Sequence, residues 1–460
     1  MHWLSLMIAS AALCASGALY DEAIRPQFHF SPKRNWMNDP NGLVYYKGEY
    51  HLFFQYNPLG TENGNQTWGH AVSPDLVHWT ELEPVLRPDN AGCIWSGSAV
   101  VDWRNTSGLG KGSQKVICAF YTAAGDPFTQ CLAYSTDCGR TFTRYAGNPI
   151  LDHIVGGNRD PKVFWYAPGK HWVMALFVDG DEYAIFNSDD LKQWTRTSSF
   201  HFPNGAECPD LFELAVDGDP RNTRWVFVAG SGSYLIGAFD GNAFKPEAGP
   251  FVGDYGANYY ATQTYNDVPK TDGRRIQIAW MVNMEGYPGM PFKGQMNFPC
   301  ECALKTFPDG IRMCRTPVRE ISKLRVKRHK WRNIVVSPGE NLLSGVTGEL
   351  FGIEAVFELA DAKQFGFKLR GQDVCCEPGG RTLTSLGRKT EVTPINNRLS
   401  LRILLDRNTV EVFADDGRTV LSSCFIPDGT NGLEFFAKSG RAKIVSMDVY
   451  ELKSSWPNPL

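Results

Sequence analysis

A chain of 460 residues with 46 basic and 49 acidic side chains carries a formal charge of −3. That is too little to build a field that draws in nucleic acid or an anionic membrane surface, so a neutral partner is implied. Hydrophobic residues at 43% and charged residues at 21% exclude a disordered chain. The length exceeds the roughly 250–300 residues at which one core stops growing, so two modules are expected.

In chain order, Met1 to Ala18 is an apolar stretch ending in Ala15-Ser16-Gly17-Ala18. It reads as a secretory signal peptide, too short for a membrane span, and places the mature protein outside the cell or in a periplasm. Of the 12 cysteines, Cys14 leaves with the signal, which forces at least one thiol to stay unpaired. The others are expected as buried small hydrophobes with one or two disulfides among them. Neither Cys300-Glu301-Cys302 nor Cys375-Cys376 has zinc-pair spacing, and the nine histidines show no ligand spacing, so no metal is expected. No glycine-rich nucleotide loop opens a helix, so no cofactor is expected either.

The 45 glycines, 28 prolines and 13% aromatics suit short strands joined by tight turns, an all-β reading. A motif recurs as Ser73-Pro74-Asp75-Leu76-Val77-His78-Trp79, Ser135-Thr136-Asp137 ending in Phe142, Ser188-Asp189-Asp190 ending in Trp194, and Phe239-Asp240-Gly241-Asn242-Ala243-Phe244. Each copy is an Asp-containing turn with an aromatic that begins a following strand, at spacings of 62, 53 and 51 residues. That period fits one four-stranded propeller blade, and residues 24–320 then hold five. Beyond Ile321 the repeat stops. Strand-like runs such as Leu350 to Phe357, Leu399 to Leu405 and Thr409 to Phe413 alternate with turns over 325–455, as in a β-sandwich packed directly on the propeller.

Trp36-Met37-Asn38-Asp39-Pro40-Asn41-Gly42 is a poor core sequence and a good site sequence, expected as a turn ahead of a strand from Leu43. Arg159-Asp160-Pro161 and Glu207-Cys208-Pro209 again put an acid beside a proline at a strand start. Innermost strands of successive blades start near the central channel, so Asp39, Asp160 and Glu207 are expected to converge on one pocket.

These motifs, with Gln55-Tyr56-Asn57-Pro58, Trp68-Gly69-His70-Ala71, Trp95-Ser96-Gly97-Ser98, Ala279-Trp280-Met281, Asp406-Arg407 and Val410-Glu411-Val412-Phe413, resemble glycoside hydrolase family 32, the invertases, inulinases and levanases. The resemblance implies a five-bladed β-propeller followed by a β-sandwich. It further implies that Asp39 is a nucleophile, Glu207 an acid/base and Asp160 a transition-state stabiliser that binds fructose hydroxyls. A third carboxylate is expected to raise the pKa of Glu207. By the same resemblance Trp36, Asn38, Gln55, Trp68, Trp95, Ser96, Arg159 and Trp280 would line a fructose pocket. The chain departs from the family's commoner pattern at Trp95, where Phe is usual, and at Ala206, where Trp is usual.

The expected activity is retaining, exo-acting hydrolysis of terminal fructose from fructan or sucrose. Asn283-Met284-Glu285-Gly286-Tyr287-Pro288 and Gln295-Met296-Asn297-Phe298-Pro299 look closer to levanases and exo-inulinases than to invertases. Alternatives are an invertase acting mainly on sucrose, a fructosyltransferase using the same acids, and a non-catalytic fructan-binding protein. The last is disfavoured because all three acids are present.

Overall fold

The computed structural model describes residues 19–282 and 287–456. The expected signal peptide, 1–18, and the levanase-like stretch 283–286 lie outside the described residues. The described chain is all-β, interrupted only by three short 3-10 turns, of which Arg319–Leu324 is one. Among the described residues no helix is long and apolar enough to cross a membrane.

Strands Asn35–Tyr46, Glu49–Asn57, Thr67–Ser73 and Thr80–Leu86 form the first antiparallel sheet. Cys93–Asp102 to Thr143–Arg144 form a second, and Arg159–Tyr166 to Thr195–His201 a third. An eight-stranded sheet follows, in which Asp210–Val216 to Phe244–Phe251 meets Tyr260–Thr264 to Gly310–Pro317 through the single parallel pair Val216↔Leu304. The short strand Phe292–Lys293 returns to pair in parallel with Asn35 and Trp36, tying the end of this run to its beginning. Apolar faces of neighbouring sheets close on one another. Phe53 and Trp68 pack against Ile117 and Ala119, Val100 and Phe120 against Val163 and Met174, and Val173 and Tyr183 against Phe227.

The recurring Asp turns connect third to fourth strands. Asp75 accepts the backbone N–H of Val77 and His78, Asp190 that of Lys192 and Gln193, and Asp240 that of Asn242 and Ala243. Trp79, Phe142 and Trp194 each directly precede the fourth strand. These bonds favour the ionised acids and hold Asp75 and Asp190 below the usual carboxylate range despite partial burial, and the exposed Asp240 below it as well.

First strands are tied to one another at the axis by buried polar groups. Lys162 Nζ lies 3.2 Å from Asp210 Oδ2 and donates to the Thr264 carbonyl at 2.6 Å, while Thr264 N–H donates to the same Asp210 oxygen at 2.6 Å. Asn266 Nδ2 donates to the Ala99 and Val163 carbonyls at 2.8 and 2.9 Å, and its backbone pairs with Leu43 and Tyr45. An isolated buried lysine would be expelled or neutralised. Here the ion pair and the carbonyl replace its water.

The C-terminal region packs a six-stranded sheet on a five-stranded one around Phe351, Phe357, Phe367, Val412 and Phe435. The outer face of the larger sheet, with Leu404, Phe413 and Val420, packs on Phe28, Phe298 and Ile278. Sequence reading found no converging acids in this region, yet Asp406 and Glu411 both reach His29, each at 2.8 Å, in a fully buried triad. Disulfides are the other correction. All 11 cysteines among the described residues are free thiols, eight of them buried.

Burial alone would push His29 down, but hydrogen bonds and charges from Asp406 and Glu411 outweigh it and raise its pKa to about 9. His29 therefore stabilises the fold fully below its ordinary pKa near 6.5 and loses that contribution as pH rises through about 9. His51 and His70, stacked at 5.3 Å, are held neutral by burial, His51 down to about 4. Their contribution is present above about pH 6.5 and lost as pH falls towards 4. Thermal midpoints measured across pH should fall on both sides. His29→Gln, which strips one partner from a buried charge cluster, should cost about 3–5 kcal/mol and flatten the alkaline limb alone.

Candidate active site

The turn expected at Asp39 to Gly42 is instead the interior of strand Asn35–Tyr46. The strand accommodates it by bulging. Met37 pairs with Tyr56 and Pro40 with Phe54, so Asn38 and Asp39 together oppose the single residue Gln55. A second bulge sets Gly42 and Leu43 against Leu52. Pro40 lacks an N–H and suits an irregular position, while Gly42, at φ 53°, has Phe53 where a Cβ would stand, 2.6 Å away.

The device recurs. Trp95 and Ser96 oppose Thr122, Asp160 and Pro161 oppose Leu176, and Ala261 and Thr262 oppose Ala279. Asp160 and Cys208, at φ 66° and 56°, sit in the left-handed region that non-glycine residues enter at a cost. Thr122 Oγ1 accepts the Asp160 N–H at 2.9 Å, helping to hold that conformation.

The three acids come together. Cys208 bridges two of them, donating N–H and S–H to Asp160 Oδ2 at 3.0 and 3.3 Å, with its sulfur 3.8 Å from Asp39 Oδ2. Arg159 links the other side, its Nε and Nη2 lying 2.6 and 2.5 Å from Glu207 Oε2 and its Nε 3.9 Å from Asp160. Ser96 Oγ donates to Asp39 Oδ2 at 2.6 Å and Asn38 Nδ2 to Asp39 Oδ1 at 3.1 Å. Trp36 Nε1 in turn donates to Asn38 Oδ1 at 2.8 Å. Trp280 faces Trp36 edge-on at 5.9 Å, and its Nε1 is buried without a partner among the described residues.

Burial pushes the Asp39 carboxyl up, reinforced by the Glu207 charge and opposed by Ser96 and Asn38, to about 6. Asp160 rises further, to about 7, through burial and the Glu207 charge against the pull of Arg159. Such shifts, produced by desolvation plus specific charge partners in one cleft, mark a catalytic environment.

Three residues modify the expected pocket. Trp68 is fully buried, packed on Phe53 and Gly42, with its N–H on the Trp95 carbonyl at 3.1 Å; it supports the wall from behind and offers no face to a ligand. Gln55 is almost fully buried with both amide atoms unpartnered among the described residues. Tyr260, which sequence reading missed, donates its hydroxyl to Glu207 Oε1 at 2.9 Å. No motif marks it; a Tyr259-Tyr260 pair reads as strand packing. The half-buried Trp95 packs edge-on against Phe128 at 5.0 Å, and the Ala206 carbonyl accepts the Tyr183 hydroxyl.

The profile of the glycosyl hydrolases family 32 N-terminal domain matches residues 29–317, and that of the family 32 C-terminal domain residues 320–451. A levanase of Bacillus subtilis is 42% identical over 99% of this chain and 74% of its own length. An extracellular exo-inulinase of Aspergillus niger is 32% identical over 98% of this chain and 99% of its own. The crystal structure of an exo-inulinase from Aspergillus awamori superposes with a TM-score of 0.86 at 31% identity, covering 95% of this chain and 100% of that one. With the two profiles together matching residues 29–317 and 320–451, the chain belongs to glycosyl hydrolase family 32.

Proposed function

We propose that the protein is a retaining, exo-acting β-fructosidase that releases terminal β-D-fructofuranosyl units from fructans, levan or inulin, and from sucrose. The observation that carries this reading is the meeting of Asp39, Asp160 and Glu207, with Cys208 between the first two and Arg159 between the last two. Levanase and exo-inulinase relatives across nearly the whole chain support the substrate class. A fructan exohydrolase of Cichorium intybus at 24% identity, solved with 1-kestose, shares the fold.

Retention needs one carboxylate to attack and one carboxyl to deliver a proton. Asp39, oriented by Ser96 and Asn38, attacks the anomeric carbon; Glu207, whose two oxygens are held by Arg159 and Tyr260, protonates the leaving oxygen and then activates water. Asp160 accepts fructose hydroxyls, and each such bond favours its charged form as the transition state gains positive charge. Gln55 and the indoles of Trp36, Trp95 and Trp280 complete the pocket for the ring.

The fold reading is a five-bladed propeller over 24–320 and a sandwich over 325–455. The first sheet, four antiparallel strands with the short Phe292–Lys293 added, the two four-stranded sheets after it, and the two four-stranded sets that pair through Val216↔Leu304 support that count. The extracellular exo-inulinase relative and the apolar leader support secretion.

Asp39→Ala should lower kcat by at least about 10⁴-fold, and Glu207→Gln by about 10²–10⁴-fold, with both variants folded by circular dichroism. Unchanged hydrolysis in Asp39→Ala would overturn the mechanism. Because Asp39 must be ionised to attack, the acid limb of kcat/KM should lie near pH 6. Ser96→Ala removes a donor to the carboxylate, so that limb should move up by about one pH unit. A time course with sucrose, inulin and levan should show free fructose as the first product, and growing fructan chains from concentrated sucrose would instead mean transfer.

A further inference from the structure

The run Arg325-Val326-Lys327-Arg328-His329-Lys330-Trp331-Arg332 places five permanent cations and a histidine in eight residues, within a chain whose formal charge is −3. It opens strand Arg325–Val336, the edge of the six-stranded sheet of the C-terminal region, paired with Ala442–Leu452 on one side and with no strand on the other among the described residues. Charge on an edge strand by itself only discourages pairing with another chain. Here the charge is organised beyond that need.

The register sets Arg328, Lys330 and Arg332 opposite Tyr450, Asp448 and Ser446, so the three cations share the outer face of the sheet at steps of about 6.8 Å. Asp448 lies 3.0 Å from Arg328 and 2.7 Å from Arg332. Glu354 is likewise shared, by Arg325 and, at 3.8 Å, by Arg402. The exposed Lys330 ammonium has no partner among the described residues. Five cations thus face two carboxylates, and Asp416 beside them is engaged by Lys305 at 3.5 Å. At the margin Lys327 and His329 share a third acid, Glu451, at 3.0 and 2.8 Å. Charge acts over a Debye length of about 8–10 Å, so this surplus governs what approaches the face whatever the net charge of the chain.

The face is also recessed. A cavity of about 270 Å³ is lined by hydroxyls and charged side chains, among them Thr316, Glu354, Ser400, Arg402, Ser446 and Asp448. A plane of lipid headgroups does not enter such a hollow. Tyr450 lies under the Arg325 guanidinium at 3.6 Å and leaves no open ring on which bases could stack. A sugar chain with acid groups suits both parts of the surface, its carboxylates or sulfates meeting guanidinium forks and its hydroxyls meeting the cavity wall. Exposed ion pairs are worth little, so Arg328 and Arg402, 48% and 40% exposed, can exchange their internal partners for those of a ligand.

We propose that this outer face of the C-terminal sheet is a docking surface for an acidic polysaccharide, with Arg328, Lys330, Arg332 and Arg402 holding its acid groups. The surface is independent of the reaction in the cleft, since none of these side chains bonds to Asp39, Asp160 or Glu207. It would moor the protein to a charged matrix while the cleft takes a neutral substrate.

The test titrates the full-length chain with a heparin oligosaccharide and with oligogalacturonate, which carry sulfates and carboxylates respectively. Both should bind at about 50 mM salt and severalfold more weakly at about 200 mM. Binding of one alone supports the proposal and names the acid group. Lys330→Glu reverses a charge without removing a partner and should lower affinity about tenfold, whereas Lys330→Arg should keep it and Arg402→Gln should lower it severalfold. Circular dichroism spectra and sucrose hydrolysis should be unchanged in all three. No binding of either oligosaccharide, or equal affinity in wild type and Lys330→Glu, would overturn the proposal. Equal or tighter binding of duplex DNA or of phosphatidylserine vesicles would overturn the sugar chain as the partner.

Discussion

Four strands, Asn35–Tyr46, Cys93–Asp102, Arg159–Tyr166 and Tyr260–Thr264, each set two residues against one on the neighbouring strand as they pass the site. In a regular strand consecutive side chains point to opposite faces, so Asn38 and Asp39, or Trp95 and Ser96, would be separated by the sheet. The bulge releases that alternation and lets neighbours act in one cleft. Its cost is unpaired backbone and left-handed φ at Asp160 and Ala261. Such conformations persist only where the surroundings over-determine them. The axial ties through Lys162, Asp210, Thr264 and Asn266 supply that rigidity immediately beneath the acids.

The same crowding sets the electrostatics. Three carboxyls in a desolvated cleft cannot all carry charge without a counter-ion, and Arg159 is the cation that touches two of them. Its guanidinium lies over the Phe177 ring at 4.6 Å, which fixes its plane and limits its choice of partner. Asp39 is tuned differently, by neutral donors, and so keeps a pKa below that of Asp160.

Much of this was legible in the sequence because it repeats or because it is chemically costly. The Asp turns recur at a fixed place in successive sheets, and acid-proline pairs at strand starts have no packing purpose. Elsewhere the signal was ambiguous in kind. Asp39-Pro40-Asn41-Gly42 has turn composition, and only the pairing with Glu49–Asn57 shows that those residues break a strand's regularity without ending it. Trp68 and Trp280 are the same residue type in similar strands, and burial alone separates the supporting indole from the facing one. Asp406 and Glu411 stood out only as parts of family motifs, and their convergence was hidden because their shared partner, His29, lies 377 and 382 positions away.

The grip of Asn408 and Thr409 on Gln295, together with the Glu411 bond to the Phe298 N–H at 3.0 Å, reaches further than support. The gripped segment contains Met296, the bridge partner of Trp280, and Asn297, whose side chain accepts the Ala279 N–H. The C-terminal module thereby sets the height of the Trp280 indole, which stands edge-on to Trp36. The two halves consequently form one inheritable unit. Exchanging the sandwich between relatives, or trimming it, therefore removes the contacts that seat Met296 and Asn297 against Trp280 and Ala279.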